Sequence, residues 1–89
     1  MKYQIIGAMK SPITSNKNGK KYMAISVVEK SDNWFGMNAT QLMLSQDAMQ
    51  NISIETESGE LYVPDGKKYY IDVDYNARGF VLGGRVYNG

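Results

Sequence analysis

Apolar and polar residues alternate along most of this 89-residue chain with a period of two, the signature of half-buried strands. The cleanest run is Lys21 to Lys30, where Met23, Ile25 and Val27 fall on one face and Tyr22, Ala24, Ser26 and Val28 on the other. The first set is the core-facing one, which leaves Tyr22 pointing outward. Lys2 to Lys10 reads as a first strand with Tyr3, Ile5, Gly7 and Met9 on one face. Tyr69, Ile71, Val73 and Tyr75 alternate with Tyr70, Asp72 and Asp74 in a fourth strand, and this places Tyr69 and Tyr75 in the core. Phe80, Leu82 and Val86 belong to a fifth strand interrupted by Gly83-Gly84, a pair that marks a bulge, a barrel corner or a close backbone approach.

Breaks in the alternation supply the connections. Ser11 to Lys20 is a polar loop carrying Pro12 and Gly19, and Ser31-Asp32-Asn33 separates the second strand from an extended stretch, Trp34 to Leu44. Trp34 and Phe35 are neighbours in that stretch, so one is expected in the core, with Trp34 the better surface candidate. Ser45 to Gln50 is the one helix-like segment, with Ser45 as N-cap. Ile52 to Thr56 makes a short strand or arm, and Pro64-Asp65-Gly66 is a turn. Five strands with one short helix after the third is the element order of a small all-β Greek-key barrel of the OB type, here a single domain spanning residues 1–89.

Composition narrows the chemistry. The chain has no cysteine and no histidine, which removes disulfides, thiolate zinc sites, Cys nucleophiles and the commonest general base. Neither Glu55 and Glu57 nor any Ser or Thr has a motif that sets a base beside it, so no enzymatic activity and no cofactor are expected. Asp72 and Asp74 share a strand face, but two carboxylates without a third ligand make a poor cation site, and edge-strand solubility accounts for them better. Apolar runs are only a few residues long, so no membrane partner is expected, and the chain reads as intracellular.

Net charge is only +1, but it is unevenly spread. Residues 1–45 hold six lysines against Glu29 and Asp32, a net of +4, while residues 46–89 hold four cations against seven acids, a net of −3. A phosphate chain senses such a local field more than the total. Lys17-Asn18-Gly19-Lys20-Lys21-Tyr22 is where the basic half concentrates cations beside an aromatic. An ordinary soluble hairpin is also written this way. Seven tyrosines, two phenylalanines and one tryptophan exceed what a core this small needs, and stacked bases require such surfaces.

With these residues in view, the chain resembles the filamentous-phage single-stranded DNA-binding proteins, the gene V or helix-destabilising family. The resemblance rests on Asn18-Gly19-Lys20-Lys21-Tyr22 opening the second strand, on Leu61-Tyr62-Val63-Pro64-Asp65-Gly66 leading into a Tyr-rich strand, and on a last strand with Arg85. It implies an OB-like barrel that coats single strands with little sequence preference, in a bacterial host's cytoplasm. It implies phosphate contacts for Lys17 and Lys20, stacking for Tyr22 and a late basic role for Arg85. It further implies a homodimer through the hairpin around Asp74 to Phe80. The family's aromatic of that hairpin falls on Arg78 here, with Phe80 two residues later.

The expected partner is therefore single-stranded DNA, with RNA as a further possibility, bound by Lys10, Lys17, Lys20, Lys21, Tyr22, Trp34, Arg78, Phe80 and Arg85. Two alternatives remain at this point: a small phage-type protein-binding module using its methionines and tyrosines, and a cold-shock-like RNA binder.

Overall fold

The alternation from Lys21 to Lys30 becomes the longest strand of one curled sheet, with Met23, Ile25 and Val27 buried on its inner face and Tyr22, Ala24, Ser26 and Val28 half-buried outside. In the computed structural model, which describes residues 1–89, the elements are β1 (Lys2–Ala8), β2 (Ile13–Thr14), β3 (Lys21–Lys30), β4 (Met37–Ser45), α1 (Gln46–Gln50), β5 (Ile52–Glu55), β6 (Tyr69–Tyr75) and β7 (Val81–Asn88). The five long strands run antiparallel in the spatial order β4-β3-β1-β6-β7, with β2 flanking β3 and β5 adding a parallel edge to β7. That is an all-β OB-like fold, a half barrel left open between β4 and β7.

Thirteen buried apolar side chains fill the barrel, with Ile25, Val27, Leu44, Tyr69, Ile71 and Val86 fully enclosed. Two bulges adjust the curl. Ile6 is the extra residue between the Ile5↔Val27 and Gly7↔Ser26 pairs, and Leu82 is the extra residue between Tyr75↔Val81 and Asp74↔Gly83. Both bulged side chains turn outward, leaving Ile6 and Leu82 about half exposed.

Three sequence expectations need correction. Trp34 and Phe35 are both exposed, at 59% and 106%, because residues 31–36 form the turn beyond the end of the barrel and the strand begins only at Met37. Tyr75 is half-buried at the core's margin, and its hydroxyl lies 2.9 Å from that of Tyr3. The last strand is continuous through Gly83-Gly84, where neighbouring backbones approach closely, and the bulge falls immediately before the pair at Leu82.

Residues 56–68 have no regular structure and are held by side chains. Leu61 is buried, and the Tyr69 hydroxyl donates to Asp65 Oδ2 at 2.8 Å and lies 3.0 Å from Ser58 Oγ. Asn88 Oδ1 accepts from the Glu57 N–H at 2.8 Å, and Lys67 pairs with Glu57. The Lys67 N–H and then the Tyr69 hydroxyl hold the Asp65 carboxyl below its ordinary value of 3.8. A carboxyl depressed on folding stabilises above its unfolded value, and the gain is lost as the pH falls through the folded one. Asp65→Asn is thus expected to flatten the loss of melting temperature below pH ~4 in a circular-dichroism series. Parallel acid limbs for the two proteins would show that this carboxylate carries no such linkage.

Candidate nucleic-acid interface

The basic loop is a structured wing. Its short strand β2 pairs Ile13 with Tyr22 and Thr14 with Lys21. The turn closes through Ser15 N–H to Lys20 O at 2.8 Å, Gly19 N–H to Ser15 O at 2.9 Å and Lys20 N–H to Asn18 Oδ1 at 2.9 Å. Gly19 adopts φ +67°, a left-handed conformation that a side chain disfavours, which is why Asn-Gly stands here. Lys17, Lys20 and Lys21 are all exposed on this wing. The ion pairs of the chain engage the Met1 amino group, Lys67 and Arg85, so the wing's cations are free to meet an external anion.

Tyr22 sits where the wing meets the barrel, in register with Ile13 on one side and Ser45 on the other. Beyond it, the outer face of β3 and β4 is uncharged as far as Val28, with Ala24 opposite Met43, Ser26 opposite Gln41 and Val28 opposite Ala39, and it ends in exposed Lys30 opposite Met37. The turn between β6 and β7 flanks the same face. Asn76 Oδ1 accepts from the N–H groups of both Arg78 and Phe80, at 2.9 and 3.0 Å, and holds Phe80 out with 66% of its surface exposed. Phe80, Gly79 and Val81 with Leu42, Met43 and Ser45 line a cleft of about 350 Å³ over the open seam.

Ser45 joins this cleft to the wing. It also lines a groove of about 190 Å³ with Lys20, Lys21, Gln46 and Asp47, and its own side chain caps α1 by accepting from the Ala48 N–H at 3.1 Å. The structure therefore brings Lys20, Lys21, Tyr22 and Phe80 onto one path, with Lys17 on the wing above it and Arg78 on the hairpin turn beside it.

Other expected residues stand apart. Trp34 lies in the turn beyond Lys30, the end of β3, which is itself about 27 Å from Tyr22 at the rise of an extended strand. Arg85 stacks its guanidinium 4.6 Å over the Tyr87 ring, which itself stacks on Tyr70, and lies 3.8 Å from Glu55. Lys10 lines a different hollow with Glu60, Leu61 and Tyr62. Met43, Ser45 and Gln46 were missed from sequence. The alternation of Met43 with buried Leu42 and Leu44 could have placed it on the outer face, whereas only the fold brings Ser45 and Gln46 beside the lysines.

Comparisons with protein-family models, curated proteins and solved structures gave no match. No helix is long and apolar enough to cross a membrane.

Proposed function

We propose that this chain is a non-catalytic protein that coats single-stranded DNA with little dependence on sequence, as in replication or packaging. The observation that carries the proposal is the meeting, at Ser45, of a free lysine groove with an aromatic-walled cleft over the β4–β7 seam, both bordering the outer face of β3 and β4. OB folds take oligonucleotides on this face, between the loops that follow the first and fourth long strands. Lysines along a backbone track and aromatic faces beside it are what non-specific single-strand binding requires. A homodimer through the hairpin around Asp74 to Phe80 belongs to the same reading, and the half-exposed Leu82 beside Phe80 gives that hairpin an apolar surface to bury.

The test is a fluorescence titration with labelled oligo(dT) of ~20 nucleotides across a salt series. If three to five cations contact phosphates, log K falls with log salt at a slope of about −2 to −3.5, near −0.7 per contact. Absence of binding at ~50 mM salt, where such a protein binds tightest, would remove the proposal. Tighter binding to the matching RNA would move it to the cold-shock-like reading.

A protein-binding role draws on a separate observation. Trp34, Phe35 and Met37 form an exposed apolar tip at the end of the β3–β4 hairpin, the kind of aromatic cluster that anchors protein interfaces.

A further inference from the structure

We infer that a hollow beside Tyr22 is a seat for one pyrimidine ring of the bound strand, with Gln46 as the side chain that recognises it. The inference rests on the single-strand reading and adds a base-selective subsite to it. The hollow is about 170 Å³, floored by buried Met23 and Leu44 and walled by half-buried Tyr22 and Met49, with Pro12 of the wing beside them. Exposed Lys21 and Gln46 complete its lining.

Size comes first. An enclosed apolar cavity of about 150 Å³ accepts a benzene molecule, so this open hollow of similar volume has room for one six-membered ring and leaves the second ring of a purine outside it. The walls suit a ring as well: Tyr22 offers a π-face, and the two thioethers are flexible groups that pack well against aromatics.

Chemistry at the rim comes second. Lys21 and Gln46 line both this hollow and the adjoining groove that Lys20 shares, so a ring in one and its phosphate in the other fit the two halves of a single nucleotide. Asp47 lies in that groove too, and its carboxylate keeps the phosphate on the lysine side. The Gln46 amide carries a donor and an acceptor side by side, which matches the Watson–Crick edge of a pyrimidine with the amide in either orientation. Gln46 is exposed at the start of α1, so shortening it leaves the core intact.

Two measurements on the whole protein test this. In the first, Gln46→Ala and the unsubstituted chain are titrated with oligo(dT) and oligo(dA) of ~20 nucleotides at one salt concentration. The substitution is expected to weaken oligo(dT) binding by about two- to tenfold more than oligo(dA) binding, the yield of one neutral hydrogen bond. Taking the ratio of ratios cancels the stacking of oligo(dA) on itself. In the second, carbon-13 methyl spectra follow the methionines during the oligo(dT) titration, and the Met49 methyl is expected to move upfield as a ring seats against it. Binding with Met49 unmoved, or an equal loss for both oligonucleotides, overturns the seat and leaves single-strand binding standing. No binding of either oligonucleotide overturns both.

Discussion

Gly84→Ala is expected to destabilise the fold by about 3–5 kcal/mol, a large share of what a domain of this size commands. A methyl group at Gly84 would come within 2.2 Å of the Asp72 carbonyl oxygen and 3.1 Å of the Val73 Cα. Both neighbours are backbone atoms of β6, so no side chain can swing aside to make room. Gly84 also lies opposite Ile52 of β5, and its N–H donates to the Asn51 carbonyl at 3.2 Å. At Gly83 the added methyl would meet that carbonyl at 2.6 Å. Three backbones, of β6, β7 and the turn after α1, therefore converge on these two glycines, and only a residue without Cβ lets them meet. Thermal melts should show a fall of about 12–40 °C for Gly84→Ala, at 4–8 °C per kcal/mol for a small domain. Gly7 is the internal comparison, because a methyl there meets only the Ser26 Cβ at an ordinary 3.9 Å. Gly7→Ala should change the melting temperature by a few degrees at most, and comparable losses at the two positions would refute the steric account.

The same glycines mark how far the chain could be read. Alternation alone identified the inner set of β3 and the burial of Tyr69, since a period of two is a direct record of which face meets the core. The N-cap at Ser45 was legible for a similar reason: one side chain does one local job. Gly83-Gly84 could be narrowed only to a choice among three devices, because the choice depends on Asp72 and Asn51, which are distant in sequence. Trp34 and Phe35 misled the pattern, since their large apolar side chains imply burial wherever a strand continues, and here the strand had not yet begun.

At the candidate site the division is alike. Lys17, Lys20, Lys21 and Tyr22 are neighbours in sequence and stayed neighbours in space, so their cluster was visible from composition and turn chemistry. Phe80 joins them only through the barrel, by way of Ser45. Arg85 shows the reverse. Its charge drew attention in the sequence, yet in the fold it is engaged by Glu55 and the Tyr87 ring. A charge counts toward a phosphate track only if it lacks a nearer partner, and pairing across strands cannot be read from residue order.

Tyr22→Ala is expected to weaken oligo(dT) binding by about 5- to 150-fold, the loss of one stacked base at 1–3 kcal/mol. Phe80→Ala is expected to fall in the same range, because its ring is two-thirds exposed over the cleft and contributes little to the core. The informative experiment is the pair. Where the two rings hold different bases of one strand, their losses add and the double variant binds at the product of the two single factors. Should Tyr22 serve only to pack the wing onto β3, its removal would lower the melting temperature while the Phe80 effect stood alone. Tyr22→Phe separates these further, since it keeps the stacking face and loses only the hydroxyl; affinity near that of the unsubstituted chain is expected. The salt slope should remain unchanged in all four variants, because none removes a cation, whereas Lys20→Ala should reduce it by about 0.7. A Tyr22→Ala protein that melts normally and binds oligo(dT) as tightly as before would take Tyr22 out of the interface.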